Sequence, residues 1–596
     1  MRETHRVASR VRSSLRTWVR RDGLALLLFV VAIVVMTTPL AFRLGDGLPS
    51  SKGDTKSALW QKWWLSKAVA EGYNVNHTPY LFHPVGMDLT FQPHRWTALV
   101  VWQPLSVLFG EEAGYVLNFL LGLLVGAYAA YLLVLHLTSN RVAAWVGGAF
   151  FTFYPAHLLT AMYQPNTGSI QWVALFMLAL VAGLRRFATT DAQRSHLSGE
   201  GFWAMVWAAV ALSVNIYITV KPWTQAVVLA AAYVPLAALA NGWWRRVAFW
   251  EAVAVLALLS VLLALPVVVP YLRAGDNLAY TVEQTASHLR TEGADIVSFI
   301  RAAPELPLFT PRAVARLRGV PFGDWRRRNG TSFYLGLVSI VLAVAGAYDS
   351  AKRDRRRLIW LLLALGTWLL SLGTVLFVDG VKMATVKMPY RLVDEIPLFK
   401  AVRTPNRFAL GFSLPWAVLV GFGAAYLWKR LEGRKWLAYA VTGGLTALML
   451  FELTEAPLTI YPLEISPFFY QIRDEEAQGA LINLPMTGSH NYMLEQTVHG
   501  WPIAGGSIGR LPENAFAYVE ANPLLKDWRQ REPLSCTYDM GRAMDSLLAD
   551  GFRYVVVHKA KPQDWLDGYV SVTPIYDDAF VTVYSLADWR DSPPCP

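Results

Sequence analysis

Eleven runs of mostly apolar residues, each near the ~20 residues a helix needs to cross a hydrocarbon core, constrain this chain more than any motif does. They fall at roughly 23–42, 113–136, 142–158, 166–187, 202–219, 223–240, 248–272, 331–348, 358–378, 407–428 and 436–454. The composition agrees: 54 % of the 596 residues are hydrophobic and 16 % charged, against about 25 % charged in a soluble domain. With 24 Trp, 25 Tyr and 28 Phe the chain is neither disordered nor a collagen-like fibre nor a coiled-coil rod. The expected fold class is an α-helical polytopic membrane protein.

A net charge of +11 would suggest nucleic acid if the positive groups lay on one soluble face. They lie instead in short runs beside apolar segments, where the positive-inside rule places them. Arg2, Arg6, Arg10, Arg12, Arg16, Arg20 and Arg21 precede the first run and predict a cytoplasmic N-terminus over 1–22. Alternating from there, one side collects Arg141, Arg185 with Arg186, Arg245 with Arg246, the run from Lys352 to Arg357, and Lys429, Arg430, Arg434 and Lys435. No small-residue cleavage site follows the first run, which reads as an uncleaved signal-anchor. The expected organisation is a multi-pass cell (inner or plasma) membrane domain over 23–454, with exterior loops 43–112, 273–330 and 379–406. An extracytoplasmic soluble α/β domain is expected over 455–596, where Ala480–Leu484, Tyr554–His558 and Val581–Leu586 read as strands and Met540–Asp550 as a helix. Cys536 and Cys595 both fall there, which allows one bridge and excludes a disulfide scaffold or a Cys-based metal cluster.

Ionisable residues are nearly absent from the spans; Glu251 and Glu452 sit near span ends. Ion-coupled transporters bury carboxylates near the midplane, so chemistry is expected at the outer face. There, Gly53-Asp54-Thr55-Lys56 opens a segment in which Trp60, Trp63, Trp64 and Ala68 recur at helical spacing, expected to lie in the interface with Trp at headgroup depth. Asp54 reads either as an N-cap or as a carboxylate that takes a proton from an acceptor hydroxyl. Trp96–Phe109 is apolar but too short to span. His77, His83, Asp88 and His94 are ligand types whose spacings match no compact metal motif. Glu111 and Glu112 are expected to cap the second span. Gly505-Gly506-Ser507 lacks the Walker lysine and the strand-loop-helix setting of a phosphate cradle, which favours a lipid-linked donor over a nucleotide sugar.

The architecture resembles that of the GT-C glycosyltransferases: a signal-anchor, an acid early in the first large exterior loop, interfacial helices, many spans and an exterior tail. Supporting segments are Pro79-Tyr80-Leu81-Phe82-His83-Pro84-Val85-Gly86, Trp102-Gln103-Pro104-Leu105 with Leu108-Phe109-Gly110, and the run from Leu398 to Phe408 containing Arg403-Thr404-Pro405-Asn406-Arg407. The resemblance covers the whole architecture and is strongest to bacterial members with one membrane domain and a modest exterior tail, though its motifs are short. Many members carry two adjacent acids where this chain has Asp54 followed by Thr55.

The resemblance implies transfer of a sugar from a polyprenyl-phosphate carrier to a glycan, lipid or protein acceptor, with Asp54 as the catalytic base. Arg403, Arg407 and Lys221 are the expected donor-phosphate contacts, since fixed cations stabilise the charge gathering on a departing phosphate. Gln164, Asn166, Tyr217, Glu283 and His288 are the expected substrate-binding side chains. Ser489-His490-Asn491 and His499-Gly500-Trp501-Pro502 are expected to contact glycan, Trp501 by stacking. No cofactor is firmly implied; a divalent cation is left open as an alternative. Two further readings are a non-catalytic protein that binds or assembles envelope polysaccharide and a flippase for lipid-linked glycans. The latter calls for inverted repeats and polar spans, and the sequence shows neither.

Overall fold

The computed structural model describes residues 22–189, 199–273, 293–301, 333–400, 402, 404–476, 478–486, 489–509, 511, 513–534, 536–560 and 563–594. In chain order the helices are α1 (Asp22–Met36), α2 (Gly53–Glu71), α3 (Gln103–Phe109), α4 (Glu111–Thr138), α5 (Arg141–Phe153), α6 (Pro155–Tyr163), α7 (Gln171–Thr189), α8 (Glu200–Ile218), α9 (Val220–Asn241) and α10 (Val247–Arg273). They continue as α11 (Leu337–Arg353), α12 (Ile359–Ser371), α13 (Phe408–Arg430), α14 (Lys435–Leu453), α15 (Pro467–Arg473), α16 (His490–His499) and, further on, α17 (Met540–Ala549). Each of the eleven apolar runs carries a helix. Six of these, α4, α8, α9, α10, α13 and α14, are long and apolar enough to cross a membrane. The pair α5 and α6, bent by 45° where Pro155 opens α6, adds a seventh if it is one broken span. Eleven crossings remain an expectation, because α11 and α12 have only 17 and 13 residues.

The run 358–378 is not helical throughout. Helix α12 stops at Ser371, Gly373 takes a positive φ of 79°, and Val375–Val378 forms strand β3, paired antiparallel with β4 (Val381–Lys387). Apolarity alone does not distinguish a buried helix from a short strand of β-branched residues.

The described residues form two compact units. The first comprises Leu105–Val267 and Gln284–Ile460 together with the N-terminal stretch through Pro49. Its axis is α13, buried along most of its length against α4, α5, α9, α11 and α12. Small residues permit this closeness, as is general where helices associate in lipid. Gly423 of α13 faces the Leu342 carbonyl of α11, and Gly346 of α11 faces the Leu419 carbonyl of α13, each where a Cβ would not fit. Glu452, expected near a span end, is buried: its Oε2 accepts the Val338 N–H (3.1 Å) and so serves the first turn of α11.

The second unit comprises Ser50–Pro104, Val268–Glu283 and Tyr461–Pro596. Here β5 (Ala480–Leu484), β6 (Phe552–His558), β7 (Tyr576–Asp577) and β8 (Val581–Ser585) form a sheet of order β5-β6-β8-β7. β5 runs parallel to β6 and β8 antiparallel to it. Every residue of β5 is buried, which is why it reads as a continuous apolar run. The strands and α17 occupy the segments their sequence patterns predict. Cys536 is disulfide-bonded, while Cys595 lies outside the described residues.

Helix α2 belongs to this unit, and Trp60 and Trp64, two of the three tryptophans expected to face headgroups, face protein instead. Trp60 and Trp64 are 1 % and 2 % exposed and share a core with Leu481, Met493 and Trp501. Their period specifies an apolar face, but not whether lipid or protein covers it. Gln496 of α16 fastens the contact: its Oε1 accepts from Trp60 Nε1 (2.7 Å), and its Nε2 donates to the Tyr80 and Trp501 carbonyls (2.7 and 2.8 Å). Gln496→Leu strands a buried indole N–H and the Trp501 carbonyl, while the Tyr80 carbonyl keeps the Ile503 N–H. It is expected to cost about 1–3 kcal/mol, read as a lower thermal unfolding midpoint of the detergent-solubilised chain. An unchanged midpoint would remove this anchor from the account.

Candidate active site

Asp54 lies in the first turn of α2 and is exposed. It is not the N-cap: the helix begins at Gly53, the cap position is Lys52, and no side chain closes it. The capping reading is therefore corrected, because the chain turns helical one residue before Asp54. What remains for the carboxylate is the favourable field of the helix N-terminus and access to a substrate.

Three groups from α16 and the segment after it surround this turn. The His490 ring lies where a Cβ on Gly53 would be, with Nδ1 2.5 Å from that position, so only glycine admits it. Ser507 Oγ stands 3.3 Å from both ring nitrogens. Lys56, one turn along α2, donates to Asn491 Oδ1. Burial pushes His490 below its ordinary range, Asp54 opposing and Lys56 adding to the shift, so the imidazole is neutral at pH 7. Burial also lowers Lys56, against the attraction of Glu495 and Glu464. The arrangement offers an accessible proton acceptor flanked by a neutral imidazole and an ammonium.

Behind it lies a buried polar cluster. Glu495 sits 3.7 Å from His558 Nε2, which is 2.9 Å from Asn483 Oδ1. Burial holds the Glu495 carboxyl well above its usual range, with Lys56 opposing, and drives His558 down to about 3. Residues His499 and Trp501 are not glycan contacts: Trp501 is 0 % exposed and stacks on Tyr554, and its backbone N–H donates to His499 Nδ1 (3.0 Å). An aromatic beside Gly and Pro suits a core turn as well as a sugar platform, and burial separates the two.

Among the described residues no three His, Cys, Asp or Glu side chains converge. His77 pairs across β1 (His77–Thr78) and β2 (Met87–Asp88) with Asp88, and His83 Nε2 lies 2.8 Å from the Asp550 carbonyl. Burial takes His94 down to about 4, with Asp88 opposing.

In the first unit, Lys221 Nζ donates to Thr167 Oγ1 (3.3 Å), joining the start of α9 to the turn that carries Gln164 and Asn166. One turn along α9, Gln225 Nε2 donates to the Arg407 carbonyl (3.1 Å). Arg407 directs Nη1 to the Val402 carbonyl (2.9 Å), so part of its guanidinium secures its own loop. Tyr217 donates its hydroxyl to the Leu263 carbonyl (3.0 Å). Arg403, Glu283 and His288 lie outside the described residues. Sequence reading missed the pairing of Gly53 and Lys56 with His490 and Asn491, and also Gln225. Nothing local signals a contact across 435 residues.

No family model matches the sequence, and no curated protein matches it significantly. Among solved structures, the archaeal oligosaccharyltransferase AglB from Archaeoglobus fulgidus, in complex with an inhibitory peptide and a dolichol-phosphate, aligns with a TM-score of 0.52 at 11 % identity. The alignment covers 91 % of this chain and 70 % of that one. The apo form of the Archaeoglobus fulgidus oligosaccharyltransferase gives 0.51 at 12 % identity, over 90 % and 69 %. Its complex with Zn and sulfate gives 0.50 at 12 % identity, over 90 % and 68 %. At such identity the likeness is one of architecture: the chain shares the fold of the Archaeoglobus fulgidus oligosaccharyltransferase.

Proposed function

We propose that this chain is a membrane glycosyltransferase that moves a sugar, a hexose in the simplest case, from a polyprenyl-phosphate carrier to an extracytoplasmic acceptor with inversion. The observation that carries the reading is the accessible Asp54 carboxylate in the first turn of α2, on a chain with this fold. The archaeal oligosaccharyltransferase of that fold holds a dolichol-phosphate.

In the proposed step Asp54 takes the acceptor hydroxyl proton as that oxygen bonds to the anomeric carbon. The anomeric carbon–phosphate oxygen bond breaks on the opposite face, and the electron pair leaves with the polyprenyl phosphate. That leaving group is stable as an anion, so the step needs no general acid. Cations stabilise the growing charge, and Lys221, Arg407 and Arg403 are assigned that role in the membrane unit. Among the described pair, Lys221 is the stronger candidate, because Arg407 also secures its own loop. Gln164, Asn166 and Tyr217, with Glu283 and His288, are assigned to substrate hydroxyls. The basic runs support a cytoplasmic N-terminus and an exterior C-terminus.

Mass spectrometry of lipid co-purified with the wild-type chain and with Lys221→Gln tests the donor class. A polyprenyl phosphate on the wild type, depleted about tenfold or more in the variant as expected for a lost charge-assisted contact, supports the reading. Its absence from both would transfer support to a non-catalytic glycan-binding role.

A further inference from the structure

A second lipid site follows from a groove between α7 and α8. The cavity measures about 600 Å³, within the range of small-ligand sites. Its walls are apolar apart from one residue, Arg186, near the C-terminal end of α7. Small side chains, Ala182 on α7 and Ala204 on α8, leave the space, and Trp203 and Trp207 form an exposed aromatic rim. Charge gathers at the Arg186 end, where Arg185 adjoins it in sequence.

The lining on α7 runs from Trp172 to Arg186, which at 1.5 Å per residue is about 21 Å. That exceeds the ~15 Å of hydrocarbon in one leaflet, enough for a single acyl chain and the start of its headgroup. The headgroup end is not the end assigned to the sugar donor. Arg186 precedes α8 and Lys221 follows it, so the 19 residues of α8 separate them by about 28 Å along the helix axis. An apolar slot one leaflet deep, closed at one end by cations, is complementary to an anionic amphiphile.

We propose that this groove binds an anionic phospholipid, one acyl chain lying between α7 and α8 and the phosphate on Arg186, with Arg185 adding positive potential.

The test is native mass spectrometry of the delipidated full chain returned to phosphatidylcholine bilayers doped with phosphatidylglycerol. Wild type and Arg186→Lys are expected to retain phosphatidylglycerol selectively, whereas Arg186→Gln retains at least fivefold less. Ala182→Phe, which fills the slot, is expected to lose it too, with Ala204→Phe as the alternative should Ala182→Phe not yield a monodisperse protein. Equal retention by Arg186→Gln, or by a folded slot-filling variant, overturns the proposal. Displacement of phosphatidylglycerol by an equimolar polyprenyl phosphate would also overturn it, by making the groove a carrier site. Because Lys221→Gln is expected to leave phosphatidylglycerol retention unchanged, failure here is distinguishable from failure of the donor assignment.

Discussion

Asp54→Asn is expected to lower sugar transfer by about 10²–10⁴-fold, the range spanned by loss of a positioned general base, while the chain remains folded. The separation of activity from stability is possible because the structure gives Asp54 no cap to fill. The residue is exposed and touches no core. The isosteric amide removes the proton-accepting charge and keeps the shape, at a cost of about 0.3–1 kcal/mol for the lost interaction with the helix N-terminus. The check is transfer from a polyprenyl-phosphate sugar, followed by mass spectrometry of the carrier, beside a thermal unfolding scan of both proteins. Full activity in Asp54→Asn would remove this carboxylate from the chemistry. Joint loss of activity and folding would show instead a structural role that the exposed position does not explain.

The second large effect concerns the membrane unit. Gly423→Ala is expected to lower the unfolding midpoint sharply, as overpacking by about 1–3 kcal/mol or more would. The added methyl would overlap the Leu342 backbone carbonyl, and no rotamer change can relieve a clash with backbone. Helix α11 is held there from its own side, because Gly346 faces the Leu419 carbonyl in the same manner. The control is Gly444→Ala in α14, where nothing lies within 4 Å of the new atom. Helix propensity alone then operates, and the change is expected to be neutral or to stabilise by up to about 1 kcal/mol. Equal responses at the two positions would mean that the α11–α13 approach is not as close as the structure has it.

Much of the secondary structure was legible along the chain, for reasons that are local. A helix that faces lipid or a packed bundle must be apolar for about 20 residues, and each such run carries a helix. Strands β5, β6 and β8 announce themselves by short β-branched runs bounded by turn residues. The reading broke down where one local signal serves two ends. Val375–Val378 is as apolar as the helix before it, so the strand was hidden in a span. Trp60 and Trp64 mark an apolar face equally well for lipid or for protein. Trp501 stands in a turn that suits a sugar or a core.

The sequence by itself determined that this is a chain of apolar helices with basic runs at alternate ends, and that a carboxylate stands early in the first large loop. Those properties depend on residue type and on spacing over one helix length. Only the tertiary structure decided that residues 50–104 pack with the C-terminal sheet, that His490 rests on Gly53, and that Glu452 serves α11. It also placed Lys221 on Thr167. Such contacts join positions from tens to hundreds of residues apart, and burial decides which polar groups need one another. No period or propensity along the chain encodes that choice.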